Sequence, residues 1–379
     1  MADHTQGPNL LPNEPVTVID AALRDAVHAG ATDIHVRAGD VLRARVEGDL
    51  VGVGTHIFST EEVLQFVGLL RDTAPGEQPP LERLRDLTLT WSAPGIGRFR
   101  VSVMKQRSTY MVMLRVVPHV IPTMAELRIP AAFARALEAP SGLILLSGGP
   151  RSGRSTSLAA LLSHMNETSE RRRHVVLIEA KTRFLLRDKK CTITQRELGV
   201  DTDSIESALE AAIGHRTEVI ALDRVDPHQL ESLLHAAEAG SLVIAKVDAH
   251  DVTDTLRHLV SGVATVNQSA IRLRIAKTVR GILAHRLVAA NNGGRVLNTE
   301  LFLNSPGFAD LLMDAGAFLD IRAQLGKHLA DLGTHTFDQS LAALANEGLI
   351  DANVATSLAQ NPSEVRALLR APVPVRHAL

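Results

Sequence analysis

The chain has 379 residues, enough for two domains, and its 45% hydrophobic and 22% charged residues are those of a globular protein with a sizeable core. A formal net charge of −2 excludes a general attraction to nucleic acid or acidic membranes, and no apolar run approaches the ~20 residues of a membrane span. Aromatic residues are only 3%, so the cores must be aliphatic, and the single cysteine, Cys191, excludes an internal disulfide and suits a reducing cytoplasm.

Residues 1–15 are polar, carry Pro8, Pro12 and Pro15, lack a basic-then-apolar leader pattern, and read as a flexible tail. Over residues 18–29, Ile19, Ala22, Leu23, Ala26 and Val27 recur at helical spacing, and Gly30 ends the helix. Residues 33–36 and 42–46 alternate apolar and polar side chains as half-buried strands do, and Glu47-Gly48-Asp49 signals a hairpin. Residues 60–71 predict a capped helix, and 86–91, 97–103 and 110–117 predict three more strands. Residues 16–118 therefore read as an N-terminal α+β domain of antiparallel strands and two helices. Pro118 and Pro122 flank a short linker, 119–125, after which a helix is expected over residues 126–137.

The aliphatic run Leu143-Ile144-Leu145-Leu146 predicts a buried strand, Ser147-Gly148-Gly149-Pro150-Arg151-Ser152-Gly153 a glycine-rich turn, and Arg154-Ser155-Thr156 the start of an Ala/Leu helix. Strand, glycine turn and helix in that order are the context of a phosphate-binding loop, and the spacing fits: Gly148, four residues, Gly153, a basic residue, then Ser155. The basic residue of that motif is lysine, and here it is Arg154. The main-chain N–H groups around Gly148, Gly149, Ser152 and Gly153 can cradle phosphates whatever the side chains. Arg154 keeps the charge as a planar fork rather than a compact ammonium, Ser155 stands where a Mg2+-binding hydroxyl would sit, and Thr156 supports from the helix. A glycine turn at a strand-to-helix corner that binds nothing has the same local pattern.

Farther on, strands at 175–178, 219–223 and 242–245 alternate with helices at 205–213 and 228–239, an α/β pattern over residues 126–304. Helical segments are expected to follow through Leu287, interrupted around Asn291-Asn292-Gly293-Gly294, and residues 305–379 read as a region of short helices. The run Arg171-Arg172-Arg173 reads as a solvated helix C-terminus. The sixteen histidines show no metal-ligand spacing.

Several pieces, in order, resemble the type IV pilus retraction ATPases of the wider secretion-ATPase family. They are Ala31-Thr32-Asp33-Ile34-His35-Val36-Arg37-Ala38-Gly39 with Arg45-Val46-Glu47-Gly48-Asp49, the stretch from Arg98-Phe99-Arg100-Val101 to Arg115-Val116-Val117-Pro118, the phosphate loop, Cys191-Thr192-Ile193-Thr194-Gln195-Arg196-Glu197, Ala236-Ala237-Glu238-Ala239-Gly240 and Gly293-Gly294-Arg295-Val296. The likeness runs from about residue 18 to residue 350. It implies a PAS-like N-terminal domain, a RecA-like P-loop domain with C-terminal helices, ATP and Mg2+ as ligands, and a hexameric ring at the cytoplasmic base of a pilus machine. It further implies inner-membrane pilus platform proteins as partners, with neither nucleic acid nor direct membrane insertion.

Set against the family pattern, the chemistry is altered. The family's Glu-Asp-Pro-x-Glu box reads Glu179-Ala180-Lys181-Thr182-Arg183, so only Glu179 remains, and Glu179 alone also reads as a solvated strand end. At the family's catalytic glutamate, counting back from Ala236 places Asp223 and counting forward places Arg224; Asp223 is favoured because the aliphatic run ends there, although it also reads as a helix cap. Asp248 stands at the family's histidine, with His250 two residues on. Arg98, Arg100 and Arg115 match family arginines expected to reach the outer phosphates. The retraction-type helix Ala-Ile-Arg-Asn-Leu-Ile has become Phe308-Ala309-Asp310-Leu311-Leu312 after Ser305-Pro306-Gly307, without the arginine and asparagine. The expectation is a divergent retraction-ATPase subunit that couples ATP binding or slow hydrolysis to twitching motility, with Asp223 and Glu179 managing the water. The alternative is a catalytically inactive ring or regulatory subunit, in a homo-hexamer or in a hetero-hexamer with an active homologue.

Overall fold

A computed structural model of the chain describes residues 14–46, 48–118, 120–314, 318–328 and 332–370. The expected tail at 1–15 lies almost wholly outside them. The chain divides into two compact units, residues 1–119 and 120–379.

The N-terminal unit contains α1 (Glu14–His28), β1 (Asp33–Arg37), β2 (Val41–Val46), β3 (Asp49–Ile57), α2 (Thr60–Thr73), β4 (Asp86–Ala93), β5 (Gly97–Gln106) and β6 (Thr109–Val116). Its sheet has the order β3-β2-β1-β6-β5-β4, antiparallel throughout. Alternation sends Leu87, Leu89 and Trp91 of β4 and Phe99, Val101 and Val103 of β5 into a core completed by Val63, Phe66, Val67 and Leu70 of α2. A capping box between Ser59 and Glu62 starts α2, satisfying donors that its first turn leaves open. Strand β3 completes the hairpin signalled at residues 47–49, although its extent was not marked in the sequence. It is an edge strand with no residue buried and two glycines, so it carries no alternation to read.

The C-terminal unit begins with a 3-10 turn and the short α3 (Ala134–Leu137). The helix expected over 126–137 is thus mostly absent: Arg128 takes a left-handed φ of 58°, and Pro130 holds the preceding residue out of helical geometry. There follow β7 (Gly142–Gly148), α4 (Arg154–Thr168), β8 (His174–Glu179), β9 (Thr192–Glu197), α5 (Ile205–Gly214), β10 (Val219–Val225), α6 (Leu230–Glu238), β11 (Leu242–Val247), α7 (Val252–Ser261), α8 (Gln268–Thr278), β12 (Val279–Ala289) and β13 (Arg295–Leu303). Short helices come last: α9 (Pro306–Met313), α10 (Phe318–Leu325), α11 (Phe337–Asn346), α12 (Ala352–Leu358) and α13 (Pro362–Arg370). Of the stretch expected to be helical through Leu287, α7 and α8 are helices, but residues 279–287 belong to β12, paired antiparallel with β13 through the turn at Asn291-Asn292-Gly293-Gly294. That turn is a hairpin signal, and the aliphatic run before it has both faces covered, which hides the period of two.

The seven strands are ordered β13-β12-β7-β11-β10-β8-β9, parallel except for the final hairpin. Every residue of β7 is buried: Leu143 and Leu145 enter the core on one face of the sheet, and Ile144 and Leu146 the core on the other. Arg173 is also buried, donating to Leu137 O at 2.8 Å, so the arginine run is not a solvated cap; only Arg171 and Arg172 are exposed.

Candidate functional site

Parallel strands β7, β8, β10 and β11 deliver their C-terminal ends to one edge of the sheet, the edge where open α/β sheets collect ligands. The glycine turn leaves β7 there. Gly148 has φ 147°, and a Cβ on it would lie 2.7 Å from the carbonyl oxygen of His285 and against the buried Ser152 hydroxyl, so only glycine fits. Gly149 is open, with nothing within 4 Å of the place a Cβ would take. Arg151 takes φ 61° and is exposed, so the loop's crown is not closed by it. Gly153, at φ 103°, is the N-cap of α4, and no side chain among the described residues caps that helix. The first-turn N–H groups at Arg154, Ser155 and Thr156 therefore stay available to an anion.

Behind the turn, the Ser155 hydroxyl lies 3.5 Å from Asp223 Oδ1. Asp223 is 7% exposed, whereas Arg224 faces solvent and pairs with Asp226 at 3.4 Å, so the acid and not the arginine enters the site. Between Ser155 and Asp223 sits a residue that sequence reasoning missed. Lys246 of β11 donates to Ser155 Oγ at 2.6 Å and is ion-paired with Asp223 Oδ1. Its signal was an ionisable side chain next to the end of an otherwise aliphatic strand, all six residues of which are buried. Burial pulls the Lys246 ammonium below its usual pKa and Asp223 opposes that pull.

Arg154 turns toward the same strand. It donates to Val247 O at 2.6 Å and Gly149 O at 3.4 Å, and pairs with Asp248 at 2.5 Å. Glu179, at the end of β8, is buried and accepts from Gln195 Nε2 at 3.2 Å; burial, then the charge of Asp223, push its carboxyl up to about 7. The two basic residues that follow Glu179 are held by carboxylates: Lys181 by Glu197 at 3.1 Å, and Arg183 by Asp223 at 3.9 Å. A second missed residue is His285 of β12, fully buried beneath the turn, with Nδ1 3.0 Å from Ser147 O. Burial lowers its pKa to about 4, so it is neutral and its Nδ1–H donates to that carbonyl. His250 lies past the strand, exposed, with its main-chain N–H bonded to Asp254. Arg98, Arg100 and Arg115 belong to the N-terminal unit, where Arg115 stands opposite Arg100 on one side and Asp33 on the other, and pairs with Asp33 at 2.8 Å.

A mostly parallel sheet in which an inner strand, β7, runs into an uncapped helix through a glycine turn, with a buried carboxylate near a neighbouring strand's end, defines a RecA-like P-loop domain. The chain belongs to the type II/IV secretion system protein family, which it matches over residues 12–309. It is 30% identical over 353 residues to the type IV pilus ATPase PilU of Pseudomonas aeruginosa, spanning 92% of this chain and 90% of the relative. With the type IV pilus retractation ATPase PilT of the same organism it shares 28% identity over 336 residues, 88% of this chain and 95% of the relative. Its fold matches the crystal structure of the pilus retraction motor PilT with bound ADP at a TM-score of 0.79 and 27% identity, covering 92% and 99% of the two chains. The Legionella pneumophila ATPase DotB shares the fold at a TM-score of 0.74 and 21% identity, covering 91% and 95%. The family resemblance and the two-part fold read from the sequence are thereby borne out. Among the described residues no helix is long and apolar enough to cross a membrane.

Proposed function

We propose that this protein is a ring subunit of the pilus-retraction ATPase type, which binds ATP at residues 148–155 and turns it over slowly to drive twitching motility. The observation that carries the reading is the uncapped N-terminus of α4, placed by an open glycine turn beside a buried Asp223. The whole-length similarity to the relatives named PilU and PilT supports the machine it serves. A hexamer, homomeric or shared with a homologous ATPase, on inner-membrane platform proteins at the cytoplasmic face, is part of the same proposal.

In this reading the N–H groups of the turn hold the phosphates, and Arg154 reaches them on leaving Asp248. Glu179, with a carboxyl near neutrality, is matched to take a proton from an attacking water. Asp223 fixes Lys246 at the phosphate end. Arg98, Arg100 and Arg115 are the proposed outer-phosphate ligands contributed by N-terminal units of the ring. The residues present do not fit a divalent ion: the Ser155 hydroxyl and Asp223 are both engaged by an ammonium, with Arg183 beside them, and no cluster of three or more metal-binding side chains occurs among the described residues. Each lost transition-state partner costs about 10²–10³ in rate, hence the slow turnover.

The test compares ATP turnover and binding of the wild type with Arg154→Ala and Asp223→Ala. Slow turnover lost in both variants supports the reading. Turnover unchanged by Asp223→Ala, or no ATP binding by the wild type, overturns it.

A further inference from the structure

In P-loop nucleotide sites the metal ion is held by two protein groups, the hydroxyl that ends the loop and a carboxylate on a neighbouring strand end. In this protein those groups are Ser155 and Asp223, and a single cation already touches both: the Lys246 ammonium, 2.6 Å from Ser155 Oγ and ion-paired with Asp223 Oδ1. The placement is built into the fold. Strand β11 lies between β7, which feeds the glycine turn, and β10, which carries Asp223, with Lys246 in register with Leu146 just before that turn. Lys246 and Asp223 are both buried, so the pair is not a loose surface contact.

We infer that Lys246 takes the place of the divalent ion, so that this protein binds its nucleotide without a metal. The inference rests on the nucleotide reading above. Mg2+ demands six oxygens at about 2.0–2.1 Å and keeps several waters. An ammonium hydrogen-bonded to both protein ligands excludes that shell, and Arg183 and Arg154 add like charge around it. An ammonium has three donors. Two are spent on Ser155 and Asp223, and the third is free to meet a phosphate oxygen held at the N-terminus of α4. Lys246 thus supplies from the strand both a compact ammonium, where the loop itself carries the planar fork of Arg154, and the charge a metal would bring. Unlike a metal ion it is tethered, so its presence does not depend on solution conditions.

The experiment measures ATP and ADP affinity of the full chain by calorimetry, in excess Mg2+ and in EDTA, for the wild type and Lys246→Thr. Mn2+ retention with ATP is read in parallel by electron paramagnetic resonance. The expected result is wild-type affinity that changes by less than about threefold between the two conditions, with no protein-bound Mn2+. Lys246→Thr, which empties the position between Ser155 and Asp223, is expected to bind ATP at least about tenfold tighter with Mg2+ than without, and to retain Mn2+. Removing one member of a buried ion pair also endangers folding, so the wild-type comparison decides by itself. A wild-type affinity that falls about tenfold or more in EDTA, or Mn2+ retained by the wild type, overturns the inference and leaves the nucleotide reading standing. No nucleotide bound by either protein under any condition overturns that reading, and the metal replacement with it.

Discussion

Arg154 and Asp248 form an ion pair at 2.5 Å. Arg154 and Asp248 stand where the sequence reading expected the family's lysine and histidine, and their contact brings the two positions together in space. A guanidinium fork can hold the Val247 carbonyl and the carboxylate together, which a single ammonium serves less well. The loop's arginine is therefore parked on the neighbouring strand.

Asp248→Asn should release it. Asp248 is half exposed, so solvent screens the pair and the effect is modest. ATP affinity is expected to rise about three- to tenfold, because a carboxylate leaves the phosphate site and a cation becomes free to enter it. Unchanged affinity in a titration would show that Arg154 does not reach the phosphates.

Gly148 and Gly149 make opposite predictions from adjacent positions. A methyl at Gly148 meets the His285 carbonyl at 2.7 Å in a left-handed backbone, so Gly148→Ala should lose ~2 kcal/mol or more of stability and most nucleotide affinity. Gly149→Ala meets nothing within 4 Å and should melt within a few degrees of the wild type. Thermal melts of the two variants, with equal losses in both, would sink the description of the turn.

Two buried carboxyls should each remove stability as pH rises through the range between about 4.5 and 7, against the opposite contribution of His285, whose lowered pKa adds stability between about 4 and 6.5. Glu300 of β13 is buried, accepts from Val252 N at 2.9 Å, and is pushed up to about 7, chiefly by burial; Glu179 moves the same way. Below the unfolded value both states hold these protons, and the native state is favoured by holding them more tightly. Between the two values only the unfolded chain releases them, so their contribution drops, and above about 7 it flattens. The full drop is ~3 kcal/mol for one such carboxyl. Denaturant titrations at about pH 5 and pH 8 should give a visibly smaller drop for Glu300→Gln than for the wild type. Equal drops would remove Glu300 as a cause.

The site's main-chain half was legible in the sequence because phosphate cradles need glycines at fixed spacing, and Gly148 and Gly153 do adopt left-handed φ values. Asp223, favoured over Arg224 because the aliphatic run ends at it, is buried in the structure, whereas Arg224 faces solvent. Lys246 was not seen, because its meaning depends on two partners, Ser155 and Asp223, far away in the chain. Strands β12 and β13 were lost for a different reason. Burial on both faces removes the alternation that marks a strand, and what remains resembles a helix core. The helix expected across Pro130 failed on a local rule that the sequence did contain.

Asn166, near the C-terminus of α4, gives the last prediction. Its side chain is buried, Oδ1 accepts from the N–H groups of Lys189 and Cys191 at 3.1 and 3.0 Å, and Nδ2 donates to Arg187 O at 2.7 Å. One amide thus replaces the missing ladder for the segment leading into β9, the strand that brings Gln195 to Glu179. Asn166→Ala leaves the buried Cys191 N–H without its acceptor and should cost ~2–3 kcal/mol. Asn166→Asp keeps both accepted bonds but sets a carboxylate against the Arg187 carbonyl. Protonation restores a donor there, so Asn166→Asp should approach wild-type stability at about pH 5 and fall away at about pH 8. Asn166→Ala has no group to titrate and should run parallel to the wild type across that range. If the two variants instead share one pH profile, the side chain acts through packing alone, and the support it lends to β9 through hydrogen bonds is refuted.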